Sequence, residues 1–225
     1  ILGVGHYVPE KTLTNFDLEK MVDTSDEWIT ERTGIKQRHI AAPEEATSDL
    51  AYNAAVKALE DAKVSPEEID LVIVGTASSD HIFPSTACLV QARLGAKNAA
   101  AFDLAAGCSG FVYSLAVASQ MVKTGLYNKI LIIGAETLSR IMNWKDRNTC
   151  VLFGDGAGAV LVEATTEEGV GVQNSYLRTD GKGLPFLHMK AGGSVCPASH
   201  FTVDHRLHYL YQEGRTVFRY AVTNM

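Results

Sequence analysis

The stretch AAAFDLAAGCSGFVYSLAVASQMVKTG, residues 99–125, decides the fold class. It reads as an apolar strand over 99–104, a turn of small residues, and a helix over 109–125 that a lysine and a glycine close. The helix is apolar on nearly every face until Gln120, which predicts a central, buried helix. A strand that passes through a turn into a helix is typical of an α/β fold.

Two further strands flank this unit. The runs IDLVIVGTA at 69–77 and KILIIGAE at 129–136 are continuous and rich in branched apolar residues, as in strands covered on both faces. Before them, small apolar residues recur at helical spacing between 50 and 62, with Thr47 or Ser48 as the cap. Helices alternating with strands predict a mostly parallel, layered α/β architecture.

The glycine-rich run at 153–164, FGDGAGAVLVEA, predicts a turn that leads into a strand, and 169–180 reads as the next strand. Residues 181–200 have the composition of a loop, and helical spacing resumes after them. The string GDGAGA at 154–159 formally matches a dinucleotide fingerprint. That motif must open a helix, so the match is rejected.

Composition excludes several classes of protein. With a net charge of −6 and no lysine or arginine cluster, the sequence gives no reason to expect nucleic-acid binding. It has no apolar run of about 18 residues that would predict a membrane span. The start ILGVGHYVPE lacks the pattern of a secretory signal, so the expected location is the cytoplasm. The chain begins without Met, so a few leading residues are expected to be missing.

The four cysteines form no CxxC pair, which argues against a zinc ribbon or a dithiol redox motif. Cys196, His200, Asp204 and His208 are spaced four apart and could ligate zinc on one helix face. Pro197 and the surrounding glycines and serines spoil such a helix, so no metal site is predicted.

Cys108 lies where the strand turns into the helix, with Gly107 and Gly110 on either side. Small neighbours permit a sharp turn and the approach of a carbonyl group, while free N–H groups of the helix start point to the same region. The helix dipole favours the thiolate by ~0.3–1 kcal/mol, so a neighbouring base has to complete the activation. The alternative is an inert buried thiol.

A helix is also predicted from the capping-box spacing of Thr24 and Glu27, ending at Gly34, with Trp28 and Arg32 on one face. Around it, the strings DTSDEWITERTGI, AFDLAAGCSGF, DRNTCVLFGDGAGAV and GRTVFRYAV resemble the β-ketoacyl-ACP synthase III family, in order and along essentially the whole chain. The resemblance implies an α/β, thiolase-like layered α-β-α-β-α fold. Residues 1–165 would form the half that carries the nucleophile, and 166–225 the start of an incomplete, truncated second half.

The resemblance implies a condensing acyltransferase that needs no cofactor. Cys108 would take a short acyl group from acyl-CoA, and malonyl-ACP would lose CO₂ and attack the thioester, which initiates fatty-acid synthesis. Two alternatives stay open. One is a secondary-metabolism ketosynthase with a longer or branched starter, and the other is a non-catalytic homologue that only binds acyl carriers.

By the same resemblance, Trp28 stacks on the CoA adenine with Arg147 on its other side. Arg32 lies near the phosphates, and Thr24 contributes to the site. Without the resemblance, Trp28 would be interpreted as a half-buried helix anchor and the two arginines as solvated charges.

Two phenylalanines and two arginines complete the expected site. Phe83 resembles an aromatic that crosses a homodimer interface to close the partner's acyl pocket, and Phe153 resembles a tunnel residue. Ordinary packing is the alternative for both. The resemblance also implies an acidic carrier protein, so an acidic enzyme would need a local basic patch to bind it. Arg32 is one candidate for docking, and Arg215 and Arg219, four apart on a predicted helix, are others; ordinary surface arginines are the alternative for that pair.

The family's catalytic histidine and asparagine, in PHQAN-like and GNTS-like strings, do not occur here. None of the histidines in this sequence stands in a matching context, so none is assigned as catalytic. They are His6, His39, His81, His188, His200, His205 and His208. Truncation of the sequence is expected, because a half-built second sheet would leave apolar strands uncovered.

Overall fold

The computed structural model describes residues 1–224. They fall into two compact units. The first unit comprises Ile1–Lys11, His39–Thr137 and Asp155–Leu177, and the second comprises Thr12–Arg38, Leu138–Gly154 and the chain from Arg178 onward. The expected boundary near 165, which concerns the two halves of the thiolase duplication, stays a prediction.

The strands are β1 Gly3–Tyr7, β2 Thr12–Thr14, β3 Gln37–His39, β4 Leu71–Gly75, β5 Ala100–Leu104, β6 Ile130–Thr137, β7 Asp155–Val162, β8 Leu187–Met189 and β9 Leu210–Gln212. The α-helices are α1 Asn15–Glu19, α2 Asp26–Thr33, α3 Thr47–Ala62, α4 Thr86–Leu94, α5 Gly110–Lys123, α6 His200–Asp204 and α7 Gly214–Asn224.

The first unit is built on a five-stranded sheet in the order β1-β7-β6-β4-β5. β4 runs parallel to β5 and β6, whereas β7 is antiparallel to β1 and β6. The sheet is therefore mixed, with its parallel part made of the three strands that the sequence identified. The carboxyl ends of β4, β5 and β6 lie at one edge of the sheet.

Both faces of this sheet are covered, as the apolar runs predicted. Val72 and Val74 pack in the cluster that contains the alanines of α3 and the apolar residues of α4. The alternate residues Leu71 and Ile73 pack with α5 through Ala118. Since successive side chains of a strand point to opposite faces, β4 is buried along its whole length.

Within residues 1–224 the helix after Cys108 is buried on the face that packs on the sheet, and its central place in a layered fold stays a prediction. Ser114, Ala116 and Ala118 of α5 are buried, but Val112 is 53 % exposed. One face of α5 covers the sheet, whereas Val112, Gln120 and Lys123 are exposed within residues 1–224.

In the second unit, Leu18, Ile29, Met142, Cys150 and Val151 form a small buried cluster. Two strand pairs accompany it, β2 with β3 and β8 with β9.

The predicted strand over 169–180 is wrong, because these residues form neither helix nor strand. Gly169 and Gly171 adopt left-handed backbone angles, with φ of 77° and 101°, which an extended strand does not accept. The predicted loop over 181–200 instead contains a 3-10 helix, Gly181–Phe186, and β8. The helical spacing expected after it is interrupted by β9 before α7 begins.

No helix within residues 1–224 is both long enough and apolar enough to cross a membrane.

Candidate active site

Cys108 lies between β5 and α5, as the sequence predicted. A 3-10 turn, Gly107–Ser109, follows the strand, and α5 begins at Gly110. Gly107 has a φ of 52°, in the left-handed region that glycine adopts without strain. The thiol of Cys108 is exposed within the described chain. Cys108 is therefore not a buried thiol within residues 1–224, and its role as a nucleophile stays a prediction.

The turn is seated on β4 by backbone-to-backbone packing. A Cβ atom added to Gly75 would lie 2.7 Å from the carbonyl carbon of Gly110 and 3.0 Å from the nitrogen of Phe111. Only a glycine at the end of β4 permits this approach of the first turn of α5. The position of Cys108, two residues before Gly110, is thus set by the sheet.

The segment 76–86, which follows β4, is held by carboxylates of the first unit. Glu136 accepts hydrogen bonds from the Ala77 N–H at 2.8 Å and from the Ser78 hydroxyl. Burial raises the pKa of Glu136, and the hydrogen bonds from Ser78, Ala77 and Thr76 partly offset that effect. A partly buried carboxylate at the end of β6 thereby orders the start of this segment.

Two aspartates hold the other end of the segment. Asp103 of β5 accepts from the backbone N–H groups of Thr86 at 2.7 Å and Ala87 at 2.8 Å, so it satisfies the first turn of α4. Asp80 accepts from the backbone N–H and hydroxyl of Ser48 at 2.9 and 2.7 Å. Phe83 stands between these anchors with 83 % of its surface exposed.

In the second unit, the structure brings Trp28, Arg32 and Arg147 together. The Cζ atoms of Arg32 and Arg147 lie 4.7 and 4.9 Å from the centroid of the Trp28 ring, within the range of cation–π attraction. Arg147 also forms an ion pair with Asp23 at 3.3 Å. We call these three side chains the Trp28 platform.

The predicted capping role of Thr24 is wrong. The helix cap is Ser25, whose hydroxyl accepts from the Trp28 N–H at 3.1 Å, and α2 begins at Asp26. The Thr24 hydroxyl oxygen is buried and has no hydrogen-bond partner among the described residues. The capping box failed as a prediction because Ser25 and Thr24 are equally suitable caps one residue apart.

The remaining expected site residues lie in the same unit. Phe153 is partly buried and packs against the Ile29 cluster. Arg215 and Arg219 lie on α7 with exposed side chains. The helix expected for these two arginines is present.

The glycine turn expected at 154–159 is wrong, because β7 begins at Asp155 and runs through these glycines. Asp155 is buried and accepts from the Ala41 N–H at 2.7 Å, so it anchors the segment after β3. A strand at this position agrees with the rejection of the dinucleotide fingerprint.

Within residues 1–224 no group of three or more histidine, cysteine, aspartate or glutamate side chains is placed to hold a metal ion. His208, one of the four residues spaced for zinc, lies 2.8 Å from the Thr202 hydroxyl through its Nε2 atom.

Four residues that the sequence did not identify form hydrogen bonds with the segments on which the expected site residues lie: Glu136, Asp103, Asn15 and Arg38. Asp103 could have been noticed as a charged residue inside an apolar strand, where a carboxylate needs donors. The others gave no local signal, since each bonds with residues far away along the chain.

The chain is similar to known proteins in sequence and in fold. Residues 102–181 match the family model described as 3-oxoacyl-[acyl-carrier-protein (ACP)] synthase III. The β-ketoacyl-[acyl-carrier-protein] synthase III of Caldanaerobacter subterraneus subsp. tengcongensis is 64 % identical over 225 residues, which are 100 % of this chain and 68 % of that protein. The chain therefore spans about two thirds of the length of this relative.

Two solved structures extend the similarity to the fold. The structure of β-ketoacyl-[acyl-carrier-protein] synthase III from Thermus thermophilus matches with a TM-score of 0.89 and 46 % identity, over 100 % of this chain and 68 % of that one. The priming β-ketosynthase of the R1128 polyketide pathway matches with a TM-score of 0.88 and 36 % identity, over 100 % and 66 %.

Proposed function

This chain belongs to the β-ketoacyl-[acyl-carrier-protein] synthase III family and is a condensing acyltransferase of the thiolase fold, and we propose that Cys108 is the nucleophile that accepts its starter acyl group. The observation that carries the proposal is the exposed thiol on a glycine-flanked turn at the start of α5. Small neighbours leave room for a carbonyl carbon to reach the sulfur.

In the first half-reaction the Cys108 thiolate attacks the carbonyl carbon of a short acyl-CoA. A new carbon–sulfur bond forms, the bond to the CoA sulfur breaks, and CoA leaves as the thiolate, which takes up a proton. Backbone N–H groups, with that of Cys108 among them, would hold the tetrahedral oxyanion. In the second half-reaction malonyl-ACP loses CO₂ and its carbanion attacks the thioester, which frees the Cys108 sulfur.

The arrangement of the Trp28 platform is suitable for binding the nucleotide of CoA. We propose that the adenine stacks on Trp28, with Arg147 on the other side of the base and Arg32 near the phosphates. Stacking on a large aromatic ring and pairing of guanidinium groups with phosphates suit these residue types. Thr24, which directly precedes the cap residue of α2, would contribute to the same site.

We propose that malonyl-ACP docks at α7 through Arg215 and Arg219, since an acidic carrier needs a local positive patch on a chain of net charge −6. The enzyme is proposed to be a cytoplasmic homodimer without a bound cofactor, in which the exposed Phe83 reaches the partner's acyl pocket. Phe153 would line the acyl tunnel.

Labelling of the thiol tests the central proposal. Incubation with acetyl-CoA is expected to add one acetyl group, which peptide mass spectrometry should locate on Cys108. Cys108→Ser should abolish the label. Cys88→Ser is the matched control, because the Cys88 sulfur is half-buried and accepts a hydrogen bond from the Ser85 hydroxyl at 3.1 Å. Label on another residue, or none on Cys108 in an active preparation, would contradict the proposal.

A longer or branched starter is the second candidate, and the likeness to a priming polyketide ketosynthase keeps it open. Values of kcat/KM for acetyl-, isobutyryl- and octanoyl-CoA decide between the two, since each methylene in an apolar pocket is worth ~1 kcal/mol. A protein that binds CoA but neither transfers acyl groups nor decarboxylates malonyl-ACP would instead be a binding homologue.

A further inference from the structure

The Trp28 platform is assembled from two separate segments of the second unit. Trp28 and Arg32 are carried by α2, whereas Arg147 lies more than a hundred residues later, in the segment before Val151. A base can stack beside Trp28 only if these segments keep a fixed relative position. Apolar packing around Ile29 holds them together, but it is not directional and sets their register loosely.

A buried asparagine contacts both ends of α2. Asn15 is 1 % exposed, and its Nδ2 atom donates to the Asp26 carboxylate at 2.8 Å and to the Ile35 carbonyl at 2.7 Å. Its backbone N–H donates to the Lys36 carbonyl at 3.2 Å. Asp26 lies in the first turn of α2, and Ile35 lies just beyond its last residue. One side chain therefore bridges the first turn of the helix that carries Trp28 and the chain just after its last turn.

A buried arginine links this asparagine to the other segment. Arg38 is 5 % exposed, and its Nη2 atom donates to the Asn15 Oδ1 atom and to the Val151 carbonyl, each at 3.0 Å. Its Nη1 atom donates to the Leu13 carbonyl at 3.1 Å. The chain of contacts thus runs from α2 through Asn15 and Arg38 to Val151, four residues from Arg147.

The amide of Asn15 uses both its donor and its acceptor atoms in this network. Such a connected set of buried hydrogen bonds has one low-energy geometry, whereas an apolar contact tolerates sliding. Asp26 is also held in its charged form, because the hydrogen bond from Asn15, with Lys36 nearby, lowers the pKa of its carboxyl group. The network is directional in each of its links.

We propose that Asn15 and Arg38, together with Asp26, are positioning residues that hold the Trp28 platform in the shape that receives the nucleotide of CoA. The inference rests on the proposed function of the platform. It adds that affinity for the nucleotide depends on side chains buried beneath the platform.

Asn15→Ala is expected to raise the Kd for CoA, measured by calorimetry, and the KM for acetyl-CoA about tenfold, because stacking and guanidinium contacts are both loosened. The kcat at saturation should change little. S-acetyl-N-acetylcysteamine, which lacks the nucleotide, should acylate Cys108 with a rate reduced much less. A general loss of folding would lower both reactions together.

Asp26 supplies variants that disturb the fold less, since its side chain is 25 % exposed. Asp26→Ala should weaken CoA binding, whereas Asp26→Asn should largely restore it, because an amide oxygen still accepts from Asn15. Asp17→Ala is the matched control. It breaks the bonds from the Thr14 N–H and hydroxyl to the Asp17 carboxylate, at 3.2 and 2.6 Å, on the same helix as Asn15. It should lower stability without changing the Kd for CoA.

The outcomes separate the inference from the proposed function. Equal losses with both thioesters, or a Kd change in Asp17→Ala as large as in Asn15→Ala, would overturn the positioning role. If Trp28→Ala weakens CoA binding while the Asn15 and Asp26 variants do not, the platform binds the nucleotide and the inference is wrong. If Trp28→Ala leaves the Kd unchanged, the proposed nucleotide site fails and the inference fails with it.

Discussion

A row of three glycines across the sheet tests how the nucleophile is held. Gly75 of β4 pairs with Gly134 of β6, which pairs with Gly158 of β7. The space at the three positions differs. A Cβ atom added to Gly75 would lie 2.7 Å from the backbone of Gly110. A Cβ atom added to Gly134 would lie 3.3 Å from the Cβ atom of Phe111, and one added to Gly158 would meet no atom within 4 Å.

The expected effects follow from these distances. Ordinary contact begins at 3.4 Å, so Gly75→Ala requires 3.4 − 2.7 = 0.7 Å of displacement in the backbone that begins α5. Overpacking of this kind costs about 1–3 kcal/mol of stability. Because Cys108 precedes Gly110 by two residues, its sulfur should move by a similar distance. A misplacement of ~1 Å can cost ~100-fold in rate, so acylation should slow by about tenfold or more.

The neighbouring variants serve as controls in the same row. Gly134→Ala needs only about 0.1 Å of movement from a side chain, so its stability should fall by less than ~1 kcal/mol. Gly158→Ala should be neutral, or more stable by ~0.4–1 kcal/mol, because alanine restricts the unfolded chain. Urea denaturation and single-turnover acylation of Cys108 measure the two effects. Equal losses at Gly75 and Gly158, or a wild-type acylation rate in Gly75→Ala, would refute the reasoning.

Three other predictions concern the surface of the chain. Arg219→Glu should raise the KM for malonyl-ACP, and the increase should be smaller at high ionic strength, while the rate of acylation by acetyl-CoA changes little. The control variant Lys123→Glu should leave the KM for malonyl-ACP nearly unchanged. An unchanged KM in Arg219→Glu would exclude Arg219 from the docking surface. Phe83→Ala should raise kcat/KM for octanoyl-CoA relative to acetyl-CoA, because it removes an aromatic side chain from the proposed acyl pocket, and an unchanged ratio would contradict its pocket role. Bonds from Thr14 lower the pKa of Asp17 from 3.8 to about 2. Wild type should therefore have a larger free energy of unfolding than Asp17→Asn above pH 3.8, and this difference should disappear as the pH falls toward 2. Denaturation at several pH values measures the difference.

The parts of the fold that the sequence predicted are those with strong local signals. The apolar runs that contain β4 and β6 are continuous, and the alanine stripe of α3 has helical spacing over four turns, so neither depends on distant residues. The strand expected at 169–180 failed because its apolar residues alternate with glycines that take left-handed angles. Periodicity of hydrophobic residues does not report backbone conformation at glycine.

Some residues of the candidate site could likewise be predicted from the sequence, and others could not. The place of Cys108 followed from small residues between a strand and a helix, and the roles of Trp28, Arg32 and Arg147 followed from the resemblance. The network under the platform could not be predicted, because the Arg38–Val151 bond joins residues 113 positions apart. A buried arginine has no sequence pattern that distinguishes it from a solvated one.

The two candidate sites are held by different physical means, and this difference predicts which substitutions each tolerates. The position of Cys108 is determined by backbone packing at Gly75. A larger residue at Gly75 would overlap with the start of α5, whereas glycine has no side-chain hydrogen bond that a substitution could remove. The Trp28 platform is set by hydrogen bonds of Asn15 and Arg38, where removal of one partner leaves other buried groups unpaired at ~1–3 kcal/mol each. The nucleophile should therefore be sensitive to larger residues beneath it, and the platform to smaller or apolar ones.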